Sequence, residues 1–135
     1  MHAMLLVALG GAIGSVTRYL ISGWILHQTL AWRFPLGTFI VNLLGCLMIG
    51  VISGLAVKEA LLSMPARIFL ITGVCGGFTT FSAFGLETFY LLKRDALFIA
   101  FSYVSLSIIC GILALWLGFV SIEWVIKYLS STQMY

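Results

Sequence analysis

Polar and charged positions are so sparse along this chain that the apolar ones form four long runs. Stretches without Lys or Arg extend from Phe34 to Val57, from Ile68 to Leu92 and from Asp95 to Ile126, and a further run, about Met4 to Leu26, is interrupted only by Arg18. A helix needs roughly 20 residues to cross a hydrocarbon core about 30 Å thick. Four membrane-spanning helices are therefore predicted, at about 4–26, 36–57, 68–92 and 97–120, and they make residues 1–135 a single membrane domain. The connections "HQTLAWRFP", "KEALLSMPAR" and "KRD" are short, and the tail "KYLSSTQMY" is too short to fold alone. Pro35 and Pro65 stand just ahead of apolar runs, where a missing amide proton costs least. The opening "MHAMLLVALGGAIG" lacks the basic start of a secretory signal, so it reads as a retained first helix.

The third run carries an interruption. Within "VCGGFTTFSAFGLET", residues 74–88, two glycines, two threonines and a serine fall close together, and Glu87 follows. Gly76 and Gly77 are conformationally loose, while Thr79, Thr80 and Ser82 compete for backbone hydrogen bonds. Lipid offers no partner for a freed N–H or C=O, so a broken helix persists only where protein, an ion or water supplies one. Carbonyls at one half-helix end can hold a cation, and amides at the other favour an anion. The alternative is an unbroken helix that uses Gly and Thr for close packing.

Composition changes the picture only by excluding alternatives. Of 135 residues, 62% are hydrophobic and 8% charged, against about half and about a quarter in soluble domains. Cys46, Cys75 and Cys110 fall in separate runs with no disulfide or metal-site spacing, and they read as small packing residues. Neither His2 nor His27 has a carboxylate or cysteine cluster positioned for catalysis, so an enzyme is not expected. With four spans, Lys58, Arg67 and Lys127 lie on one side and Arg33, Lys93 and Arg94 on the other. That balance gives the positive-inside rule nothing to act on. The chain is therefore expected to insert both ways up and to pair with an inverted copy, although a fixed orientation set by a weak cue such as Arg18 would also be compatible.

"GGFTTFSAF" in the third run, "GTFIVNLLG" (37–45) in the second, "GGAIGSVTRY" (10–19) in the first, and Tyr103 with Ser107 in the fourth resemble the Fluc, or CrcB-type, fluoride channels. The resemblance covers nearly the whole chain. It implies an all-α membrane protein of four spans, the third broken at its centre, forming an antiparallel dual-topology homodimer with two pores. The implied activity is passive, fluoride-selective efflux across the cell's inner (plasma) membrane, giving fluoride resistance. The implied partners are a second copy, fluoride and the lipid bilayer, without nucleic acid or an organic cofactor.

Fluoride is small and tightly hydrated, so a pore must replace its water with closely placed donors and leave little room for chloride. Asn42 carries the strong donor of the second run, with Thr38 and Cys46 one turn to either side on its face. By itself such an asparagine reads equally as interhelical glue; the resemblance makes it a pore residue. Phe81 and Phe84 share a helix face, and an electropositive ring edge can meet an anion without trapping it. By resemblance these two, with Ser82, Tyr103, Ser107 and Thr38, line the pore. Ala83 departs from the family's usual threonine. Ser102 and Ser105 read as serines bonded to their own helix. The resemblance also implies a structural sodium ion at the dimer centre, held by the backbone oxygens of Gly76 and Thr79. Glu87 is expected to be structural or pore-adjacent, and Arg18 either draws anions to a vestibule or caps carbonyls near the interface. The competing readings are a small dual-topology, proton-coupled multidrug exporter working through Glu87 and a non-transporting membrane assembly subunit.

Overall fold

The computed structural model describes residues 1–29, 31–57 and 62–132. All regular structure among them is helical: α1 (His2–Gln28), α2 (Leu36–Val57), a composite third span (Met64–Lys93) and α6 (Leu97–Thr132). All four are long and apolar enough to cross a membrane. The fourth runs past the expected end at 120 to Thr132, so "KYLSST" is helical rather than a loose tail. The reason is local: no Gly or Pro follows Gly118, and a fall in hydropathy marks a change of surroundings, not the end of a hydrogen-bonded helix. Lys58, one of the charges counted in the second connection, lies outside the described residues.

Hydrocarbon gives apolar side chains no reason to prefer the protein interior, so spanning helices associate through close packing of small residues. Large apolar side chains such as Leu9, Trp24, Ile112 and Trp116 accordingly point outward, and the contacts between helices run along glycine. Gly10 and Gly14 of α1 lie directly on the third span, where a Cβ on Gly10 would come within 2.6 Å of the Phe69 carbonyl oxygen. Gly50 and Gly54 of α2 press in the same way on α6, at Leu115 and at Phe119 and Ile122. Where α2 ends, the Arg67 guanidinium donates to the carbonyl of Ala56, which has no further turn of helix to bond to, and also to that of Leu62 in the second connection.

The third span is wound in four pieces. A first turn, α3 (Met64–Arg67), passes into a π-helical stretch (Ile68–Cys75) and then a last helical turn, α4 (Gly76–Phe78). Thr79 and Thr80 are fully extended (φ −81°, ψ 155° and φ −147°, ψ 118°), and α5 (Phe81–Lys93) begins after them. The expected interruption is present, but the open residues are the two threonines. Gly76 and Gly77 remain helical, and Gly77 is needed for contact: a Cβ on it would overlap the backbone of Gly11, whereas one on Gly76 would meet only the Ile71 carbonyl of its own span, at 3.7 Å. Each threonine finishes one half-helix. The Thr79 hydroxyl donates to the Cys75 carbonyl at 2.9 Å, and the Thr80 hydroxyl accepts the Ala83 N–H at 3.2 Å as an N-cap.

Candidate functional site

An extended peptide in the middle of a membrane span must find partners outside its own helix. Asn42 provides both. Its Nδ2 donates to the Thr80 carbonyl at 3.0 Å, and its Oδ1 accepts the Thr80 N–H at 2.8 Å. The amide therefore pairs with the open peptide as a neighbouring strand would. The preceding end of the break is held from α1, where Arg18 Nε and Ser15 Oγ both donate to the Gly77 carbonyl, at 3.1 and 3.4 Å. Arg18 thus caps a carbonyl at the break within the third span, whereas the expected capping was of carbonyls near the interface. The same side chain also borders a cavity, so its other expected role, drawing anions to a vestibule, is sterically open to it.

That cavity, of about 480 Å³, is a vestibule between α1, the first connection, α2 and α5. Its polar lining includes Arg18, Ser22, Arg33, Thr38, Thr80 and Glu87. Glu87 is not free in it. Thr38 donates to one carboxylate oxygen and Tyr103 to the other, each at 2.7 Å. Tyr103 is fully buried (0% exposed) and Thr38 nearly so (7%), so α2, α5 and α6 meet on one carboxylate. Aromatic rings build the surroundings: Phe84 lies 5.1 Å from the Tyr103 ring, and Phe34 meets that ring edge-on at 5.3 Å.

On the other side of the break is a groove of about 300 Å³, lined by Asn42, Cys46, Thr79, Thr80, Phe81, Phe84 and Ser107, among others. Phe81 and Phe84 stand 5.7 Å apart with planes inclined at 38°. Phe81 is 83% exposed, so one wall of the groove looks outward from the single chain. Ser107 Oγ is buried without a hydrogen-bond partner, a state a hydroxyl keeps only at a cost of about 1–3 kcal/mol. Ser82, expected in the pore, lines neither space; it is exposed, its hydroxyl 3.3 Å from that of Thr80. Vestibule and groove share Thr80, so the Asn42–Thr80 pairing stands between them. Among the described residues no group of three His, Cys, Asp or Glu could hold a metal.

Residues 5–119 match the family model described as "CrcB-like protein, Camphor Resistance (CrcB)". The chain belongs to the CrcB-like family. It is 55% identical to a protein of Methylobacillus flagellatus over 119 residues, 88% of this chain and 93% of the other. A protein of Flavobacterium psychrophilum is 43% identical over 120 residues (89% and 96%), and one of Chlorobium chlorochromatii is 47% identical over 121 (90% and 92%). All three are named "Fluoride-specific ion channel FluC". Four spanning helices in a CrcB-like chain make this a multi-pass membrane protein.

In this CrcB-like chain the expected residues divide between the two spaces. Asn42, Phe81, Phe84, Ser107 and Thr79 border the groove; Thr38, Arg18 and Glu87 border the vestibule. Tyr103 joins them through Glu87 and Phe84. Gly76 lies apart from both, exposed at the last turn before the break. Sequence reasoning missed Ser15 and the double function of Thr80. A second threonine directly before an apolar helical run is the N-cap signal that could have revealed Thr80. Nothing local marks Ser15.

Proposed function

We propose that the chain is a fluoride-selective channel that lets fluoride leave the cell passively and so confers resistance to it. The observation that carries this reading is the pair of polar-lined spaces meeting at the Asn42–Thr80 pairing of a broken span, in a chain 55% identical to a fluoride-specific ion channel. An anion stripped of water needs donors, and they lie along this line. Asn42 keeps a second Nδ2 hydrogen, Ser107 Oγ is buried without a partner, and the rings of Phe81 and Phe84, whose edges are electropositive, line the groove. A neutral donor set holds an anion without the charge that would keep it from leaving.

The working unit in this reading is an antiparallel homodimer with two pores in the cell's inner membrane. The groove's outward-facing wall and the exposed Phe81 ring support it, since a second, inverted copy would close the groove. A structural sodium ion at the dimer centre fits the same arrangement. Thr79 is extended and Gly76 exposed beside it, which leaves backbone oxygens available to a hard cation. Gly76 and Thr79 would hold the ion, whose charge would satisfy acceptors that lipid cannot. The proton-coupled exporter is disfavoured because both oxygens of Glu87 already accept hydrogen bonds.

The test is release of fluoride and of chloride from liposomes holding the purified protein, with no proton gradient. Rapid fluoride release with chloride retained is expected. Equal release of both halides, or none of either, would overturn the proposal.

A further inference from the structure

On the face where the first and third connections meet, a cavity of about 430 Å³ lies apart from the groove and adjoins the vestibule, with which it shares Trp32 and Arg33. It is walled by Ala31, Trp32 and Arg33 from the first connection and by Leu91, Arg94 and Ala96 from the third. We propose that Arg33, Arg94 and Trp32 form a binding site for the phosphodiester headgroup of an anionic phospholipid of the phosphatidylglycerol type.

Charge comes first. Two arginines from separate connections share one cavity, and among the described residues no carboxylate lines it. A third cation on this face, Lys93, is held over the Phe89 ring at 5.6 Å, and Asp95 is the acid of the same turn. The excess is cationic, and a guanidinium fork matches two oxygens of one phosphate. Depth comes second. Arg33 lies just ahead of Pro35 and α2, and Arg94 caps α5, so both stand where spanning helices leave the hydrocarbon. This is the level of lipid phosphates, and basic pockets between spanning helices bind anionic headgroups there. Trp32, 65% exposed beside them, has the amphipathic ring that favours this layer.

The site is also held in shape. The Arg94 N–H donates to the Tyr90 and Leu91 carbonyls, Asp95 turns the chain at φ 55°, and the Ala96 N–H returns to the Leu91 carbonyl at 3.0 Å. On the other wall the Trp32 N–H donates to the Thr29 carbonyl at 2.8 Å. The space lies within the range of about 300–1,000 Å³ typical of small-molecule sites and far exceeds what a bare halide would fill. Leu91 and the two alanines give the glycerol carbons an apolar floor.

Native mass spectrometry of the full chain, after delipidation and addition of phosphatidylglycerol, phosphatidylcholine or inorganic phosphate, tests this. Phosphatidylglycerol should be retained and phosphatidylcholine lost. R33Q/R94Q should weaken retention about tenfold or more, since losing one net charge-assisted hydrogen bond suffices for that. R33K/R94K should keep part of it, and R94Q alone repeats the comparison if the double variant does not purify as folded protein. Equal retention of phosphatidylcholine, or undiminished retention by the glutamine variants, overturns the site. Displacement by inorganic phosphate at equal concentration overturns the lipid assignment in favour of a free phosphate ion.

Discussion

The side chain of Asn42 does for Thr80 what the missing turn of helix would have done, accepting its N–H and donating to its C=O. Asn42→Asp keeps the acceptor but replaces the donor with an oxygen that faces the Thr80 carbonyl. One hydrogen bond becomes a repulsion, and an unsatisfied buried acceptor costs about 1–3 kcal/mol. The variant should therefore melt earlier in detergent, and its negative charge should reduce fluoride release from liposomes to near background. A variant with the wild-type melting temperature would show that the pairing does not hold the break. The polar face of α2 was legible in the sequence because Thr38, Asn42 and Cys46 repeat at one helical turn. The partners were not. Thr38 and Tyr103 meet on Glu87 only because three helices converge, and Arg18 reaches Gly77 across a separation of 59 residues.

Elements in this fold are positioned by what their glycines allow to approach. Gly14 lies against the Val74 carbonyl and the Phe78 N–H, so a methyl group there meets backbone that cannot turn aside. Gly11, three residues earlier on the same helix, has nothing within 4 Å of an added Cβ. Gly14→Ala should force α1 off the third span and destabilise by at least the roughly 1–3 kcal/mol of an overpacked core. Gly11→Ala should be neutral or slightly stabilising, by up to about 1 kcal/mol, because alanine is the better helix former. Thermal melts of the two variants check the contrast, and equal melting points would contradict it. The same packing explains which part of the break the sequence could reveal. Weak helix formers cluster at 76–82, which located the interruption. Intrinsic preference could not foresee that Gly77 would stay helical, since contact with α1 overrides it. The π-helical winding of Ile68–Cys75 left no sequence mark, because its residues are ordinary apolar ones.

At the scale of the whole molecule, the distribution of charge bears on which way up the chain sits. Two of its cations are committed inside the fold, Arg18 to the Gly77 carbonyl and Arg67 to the carbonyls of Ala56 at the end of α2 and of Leu62 in the second connection. Arg33, Lys93 and Arg94 on one face oppose Arg67, Lys127 and the undescribed Lys58 on the other. Orientation follows the excess of Lys and Arg near span ends, and three against three leaves none. A protease site appended after Tyr135 should therefore be cut from outside in about half the molecules and from inside in the rest, as expected where the basic residues balance. Adding lysines at Ser130 and Ser131, which hydrogen-bond only within their own helix end, breaks the balance. Copies should then collect in one orientation, and fluoride release should fall because the inverted partner proposed to close the groove becomes scarce. Co-expression with a variant biased the opposite way should restore it. If the unaltered chain is cut from one face only, or if the biased variant conducts fully by itself, the groove must be closed by something other than an inverted copy.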